Sequence, residues 1–169
     1  STLDRSTLSH RSRTMKLRIA LLALGTALAT TGHAQAQASI VLNGTCERLV
    51  IAGQDLTSAC QPTLTNGVAR NRASFDFTTK DGRSLSFSGN GMQQERTEET
   101  DPLQPINLVT PGEKGGDGIV RNPVVAVGAC SFKTPEPGKT AIVCEATAAS
   151  GRFEGTFVTD AKDAPKDAG

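Results

Sequence analysis

Four cysteines, Cys46, Cys60, Cys130 and Cys144, carry the most informative spacing in this chain of 169 residues. Cys46 and Cys60 are separated by 14 positions, and so are Cys130 and Cys144. An even number of cysteines in an oxidising compartment reads as a disulfide framework, and four allow three connectivities. The matched spacing selects the nearest-neighbour pairing, in which each bridge closes a loop of about 15 residues and contributes about 3 kcal/mol on the loop-entropy account. Redox chemistry asks for two residues between the cysteines, and zinc ligation for histidine or closer cysteine spacing. Neither pattern is present, so the cysteines read as braces, and no residue receives a catalytic, cofactor-binding or metal-ligating assignment.

The two histidines, His10 and His33, both lie before residue 39, so a chain processed after Ala38 has none. That excludes a Ser-His-Asp triad, a Cys-His pair and a His-ligated zinc site. Carboxylates are the remaining acid–base option. Glu145 and Glu154 flank one expected hairpin, and strand alternation places both, with Asp76, on a solvent-facing side instead of in the cleft that paired-carboxylate hydrolysis requires. Gly115-Gly116-Asp117-Gly118 lacks the alternating acids of a calcium loop. Gly89-Asn90-Gly91 lacks the continuation of a phosphate loop, and neither G-x-S-x-G nor S-x-x-K occurs. Asn43-Gly44-Thr45 is a glycosylation sequon that matters only in a eukaryotic host. The formal charge is +1 over the full chain, and there is no Trp or Tyr. Nucleic-acid binding by a dense basic face is therefore not expected, and stacking on sugars or bases is disfavoured.

The chain also carries an address. From Met15, the charged Lys16 and Arg18 precede the apolar run Ile19–Ala29, and small residues follow in Ala34-Gln35-Ala36 and Ala36-Gln37-Ala38. Charge, short apolar run and A-x-A ending describe a secretory signal peptide over 15–38, cleaved after Ala36 or Ala38. The apolar run falls well short of the about 20 residues of a spanning helix, so no stable membrane anchor is expected after processing. Residues 1–14 read as a disordered extension upstream of a true start at Met15. Without residues 1–38 the chain keeps 13 Lys and Arg and 16 Asp and Glu, a net charge of −3.

The elements that must position these groups are strands. Ala73–Thr79 and Arg83–Gly89 both alternate, and only a three-residue loop, Lys80-Asp81-Gly82, puts Phe77 opposite Leu85 and Phe75 opposite Phe87. If Cys130 faces Cys144, Phe132 faces Ile142 and Gly128 faces Ala146, with Thr134 opposite Thr140 and Pro135–Lys139 as the turn. A turn centred on Ser150-Gly151 pairs Ala148 with Phe153, Ala146 with Gly155 and Cys144 with Phe157. A fold-back at Ala52-Gly53-Gln54 pairs Val50 with Leu56 and Leu49 with Thr57, with a short helix over Glu47–Ile51 as the competing reading. Ile40–Leu42, Ile106–Val109 and Val124–Val127 supply shorter apolar runs. Residues 90–122 read as a long flexible loop holding one short strand at 106–109, and 161–169 as a disordered tail.

The segments Gly128–Phe132, Ile142–Ala146, Gly151–Asp160 and Phe87–Gln94 resemble small exported proteins of proteobacteria that carry no assigned role. That resemblance implies no activity and carries over no site residue. The expectation is one all-β domain over 39–160, a small antiparallel sandwich or barrel of disulfide-clamped hairpins after a helical signal peptide. It is expected in the periplasm or secreted, without a cofactor, as a non-catalytic binding or structural module whose partner is an envelope or extracellular protein. The alternatives are a carboxylate-dependent hydrolase of envelope polysaccharide and a protease-inhibitor-like module using loop 135–139.

Overall fold

Apolar side chains alternating with hydroxyl-bearing and charged ones make a sheet that must bury one face. In the computed structural model, which describes residues 37–91, 95, 97 and 101–160, that face is buried by closure. The strands are β1 (Ala38–Ile51), β2 (Gln54–Asp55), β3 (Cys60–Ala69), β4 (Arg72–Thr79) and β5 (Ser84–Asn90). They continue as β6 (Leu103–Gly115), β7 (Gly118–Arg121), β8 (Val124–Lys133), β9 (Ala141–Ala148) and β10 (Gly151–Thr159), with one 3-10 turn at Thr57–Ala59. Eight of them pair in the order β1-β3-β4-β5-β6-β8-β9-β10, and β10 returns to β1, so the sheet is an antiparallel barrel. β2 and β7 are short additions that pair with β1 and β6. Closure decides between the two expected architectures in favour of the barrel and removes most of the free edge that an open sheet would leave.

The barrel interior is filled. Phe77, Phe87, Phe153, Phe157, Leu49, Leu64, Leu85 and Val109 are fully buried in one cluster with Cys130 and Cys144. Phe77 meets Phe87 edge-on at 5.9 Å between ring centroids, and Phe75 meets Phe132 at 5.6 Å. Gly155 is required on the opposite wall, because a Cβ there would lie 2.6 Å from the Phe77 ring. Arg48, Arg72, Asp76, Glu145 and Arg152 instead stand on the outer wall. Apolar inside and charged outside is the reverse of the pattern of a lipid-embedded barrel.

Both bridges join nearest neighbours, Cys46 to Cys60 and Cys130 to Cys144. Cys130 sits directly opposite Cys144 in the β8–β9 ladder, with Phe132 opposite Ile142 and Gly128 opposite Ala146. Phe77 faces Leu85 and Phe75 faces Phe87. The three-residue loop between them has Gly82 at φ 89°, a left-handed conformation that favours glycine. In the same loop the Asp81 carboxylate receives the Arg83 guanidinium at 2.7 Å and the Thr79 hydroxyl. Those bonds hold the Asp81 carboxyl at about 2, well below its ordinary 3.8, with Arg83 the larger cause.

The sign of the resulting pH dependence follows. A carboxylate with a lowered folded-state pKa contributes stability above its unfolded pKa and loses it as the pH falls through the folded one. Thermal unfolding followed from pH 5 to pH 2 should therefore show a loss concentrated between about pH 4 and pH 2. Asp81→Asn should flatten that part of the curve; an unchanged slope would remove Asp81 as its source.

Three expectations are corrected. The 90–122 segment is not a loop with one strand at 106–109: β6 runs for 13 residues, and Gly112–Gly115 folds back on β7. A bulge between Ile106 and Leu108 lets Ile106 and Val109, three apart, both face inward, which breaks the period of two that marks a strand. At the β1–β2 tip, Val50 faces Asp55 and Ile51 faces Gln54, one residue off the expected register, because Ala52 and Gly53 both take positive φ and close a two-residue turn. There is no helix over Glu47–Ile51. The turn between β9 and β10 is Ala149-Ser150, so Phe153 faces Ala146 and Phe157 faces Ile142, two residues from the expected partners. A shift of two keeps every side chain on its face, which is why Phe153 and Phe157 are still buried. Residues 1–14, the tail 161–169 and the signal-peptide stretch before Gln37 lie outside the described residues.

Candidate functional site

A filled interior leaves the outer wall and the connecting turns as the surfaces that meet other molecules. One side of the wall is ionic. Glu154 on β10 lies directly opposite Glu145 on β9. Two like charges in that relation repel, and Arg48 and Arg152 neutralise them. Arg48 Nη2 reaches Glu154 Oε2 at 2.9 Å and Arg152 Nη2 reaches Glu154 Oε1 at 2.8 Å, while Arg152 also approaches Glu145 at 3.5 Å. The Glu154 side chain is only 11% exposed, and its hydrogen bond holds the Arg48 guanidinium above its ordinary value.

This arrangement binds the strands; it does not prepare an acid–base pair. Both Glu154 oxygens are engaged by guanidinium groups, whereas glycoside hydrolysis needs one carboxyl kept protonated and one free across a cleft. Asp76, the third acid singled out in the sequence, sits on another part of the wall. The structure therefore brings Glu145 and Glu154 together and leaves Asp76 apart.

Asp76 occupies the floor of a polar trough over β3, β4 and β5. Thr65 faces Asp76, which faces Ser86, which faces Thr110, so four strands contribute one row of oxygen-bearing side chains. Grooves of about 430 Å³ and about 370 Å³ share Thr65, Ser74, Asp76 and Ser86 and so form one continuous depression. The Asp76 carboxylate has no hydrogen bond or ion pair among the described residues. Arg72 closes one end. Its guanidinium donates to Ser88 Oγ at 3.0 Å, Asn90 Oδ1 at 2.7 Å and Asn107 Oδ1 at 2.8 Å, tying β4 to β5 and β6 through neutral acceptors. Such a trough offers one anionic point between two cations, Arg72 and Arg121, and several hydroxyls, which suits a polar, extended ligand.

The ionic side runs into a mixed one. Val125 and Val127 are 79% and 81% exposed on β8, beside a groove of about 560 Å³ that Leu103, Ala129 and Val143 line together with Glu145 and Arg152.

The remaining sequence candidates stay where elementary chemistry puts them. Gly115–Gly118 is the tip of the β6–β7 hairpin, and among the described residues no His, Cys, Asp and Glu group is arranged to hold a metal ion. Glu136-Pro137-Gly138-Lys139 is a tight turn. The Lys139 N–H donates to the Glu136 carbonyl at 3.1 Å, Gly138 has φ 81° and the side chains of Glu136 and Lys139 pair at 3.2 Å. A turn folded on itself does not present the extended backbone with which an inhibitor loop adds a strand to a protease.

Sequence reasoning missed Arg48 and Arg152 as partners of Glu154 and Arg72 as a three-strand tie. No local signal marks Arg48, which is 106 residues from Glu154, whereas Arg152 stands two positions before Glu154 on the same strand face and was readable from alternation. Compared with protein-family models, with curated proteins and with solved structures, the chain gives no match.

Proposed function

We propose that this chain is exported and acts in the cell envelope or the medium as a non-catalytic module that binds through its outer wall. The observation that carries the reading is the pair of closed disulfides on a barrel whose interior is filled by its own side chains. Disulfides persist where the surroundings are oxidising. Among the described residues the interior is packed with side chains, and of the acids singled out Glu154 and Glu145 are salt-bridged while the Asp76 carboxylate stands alone. The trough around Asp76 is the surface whose chemistry best fits a polar ligand, and an envelope or extracellular protein is the partner class that matches the expected destination.

The start of β1 bears on processing. Ala38 already pairs with Val68, and the ladder continues through Asn43 opposite Thr63. Cleavage after Ala36 keeps the whole of β1, whereas cleavage after Ala38 removes its first pair. Expression of the full chain in a Gram-negative host, followed by fractionation and intact-mass measurement, tests the reading. The expected product is outside the cytoplasm, begins at Gln37 and gains four hydrogens on reduction, two for each bridge. An unprocessed cytoplasmic chain, or free thiols in the exported material, would overturn it.

A further inference from the structure

The seam between β10 and β1 stops short of the start of β1. β10 pairs with β1 from Gly44 to Val50, and its last bond to β1 runs from the Asp160 N–H to the Asn43 carbonyl at 2.9 Å. Among the described residues, Ala38–Leu42 pair only with β3. Since Asn43 turns its polar backbone groups toward β10, alternation turns those of Val41 and Ser39 the same way. Beyond Asn43 no described strand is there to receive them.

Natural proteins blunt such an edge with lysine, proline, a bulge or brevity. β7, with its outer side unpaired, follows that rule, being four residues long and bracketed by Asp117 and Arg121. The β1 edge is short too, but it has none of the other three. Gln37-Ala38-Ser39-Ile40-Val41-Leu42 carries no charge and no proline, and its ladder to β3 is regular. Ile40 and Val41 are 50% and 61% exposed, and Val68, opposite Ala38, is 52% exposed.

We propose that this edge pairs with the same edge of a second copy, antiparallel, about a two-fold axis at Ile40. In that register Ser39 of each copy exchanges N–H···O=C bonds with Val41 of the other, which satisfies all four outward-facing groups per copy. Ile40 then faces its symmetry mate, and Ala38 faces Leu42. An uncharged, β-branched stretch complements itself, and the charges of the trough that Gln37, Ala38 and Ser39 border, Arg72 and Asp76, are not part of the strand. Continuity with the sheet also favours a strand, because the added one lies in line with β10 and stops at Asp160. A contact of about five residues a side is small beside the roughly 1,000 Å² of a stable interface, so the dimer is reversible and forms only at high protein concentration.

Sedimentation analysis of the purified chain across a concentration range tests this, with the N-terminus read by intact mass so that a failure of export is seen separately. A monomer–dimer equilibrium is expected. Val41→Pro removes an N–H that β3 does not use, a substitution that edge strands accept, and should weaken the dimer by about tenfold or more. Ile40→Lys places two cations at the axis and should do the same if the proline variant fails to fold. A chain that stays monomeric to about 1 mM, a range well above that expected for so small a contact, overturns the proposal. So does a dimer that survives both substitutions. A monomer that dimerises only when shortened at Asp160 would assign the edge to the trailing residues of the same chain, and that too overturns it.

Discussion

Replacing all four cysteines by alanine is expected to lower the unfolding free energy by about 6 kcal/mol, from two loops of about 15 residues at about 3 kcal/mol each. A domain of this size has a total stability of about 5–15 kcal/mol, so the variant stands close to unfolding at room temperature. The two bridges should also differ in what they protect. Cys130–Cys144 lies within a ladder that is continuous from Ala126 to Lys133, so its loss acts mainly through the unfolded chain. Cys46–Cys60 spans a gap. β1 leaves β3 after Asn43, is bulged between Cys46 and Arg48, and next meets the returning chain through the Leu56 N–H bond to the Leu49 carbonyl at 2.8 Å. Hydrogen exchange should accelerate over 44–60 in Cys46→Ala/Cys60→Ala and change little over 126–148 in Cys130→Ala/Cys144→Ala. Denaturant unfolding of the oxidised protein against the variant without cysteines checks the magnitude. A difference below about 2 kcal/mol would mean that the bridges are not the main braces.

Phe77→Ala is expected to cost about 3–5 kcal/mol, because the ring is fully buried and its removal leaves a cavity walled by Phe87 and Gly155. Gly155→Ala is expected to cost about 1–3 kcal/mol for the opposite reason, since its Cβ would enter space the ring occupies. Together the two should cost about 1–2 kcal/mol less than their sum, as the new methyl group moves into the vacated volume. Equilibrium unfolding of the wild type, both single variants and the double variant gives the coupling directly. Strict additivity would show that Phe77 and Gly155 do not share the packing described.

The hairpin from Phe75 to Phe87 was legible because everything that sets it lies within 13 residues. Alternation chooses the faces, and a glycine at the left-handed position chooses the loop. The Cys130–Cys144 hairpin was legible for a similar reason, with one bond identity fixing the register of every neighbour. The β9–β10 turn was misplaced by two residues because alternation is blind to even shifts: Phe153 and Phe157 point inward in either register. β6 was largely invisible because its bulge at Asn107 moves Val109 onto the face that strict alternation gives to Leu108 and denies it.

Local chemistry in the sequence was enough to establish an all-β chain, its two nearest-neighbour bridges and the absence of the usual histidine and cysteine catalytic devices after residue 38. Closure of β10 on β1, the joining of Arg48 to Glu154 and Arg152, the trough around Asp76 and the open edge at Ser39–Val41 were decided only in three dimensions. Each depends on where a strand ends relative to a partner up to about a hundred residues away. A period of two records which face a side chain takes but not which residue stands beside it.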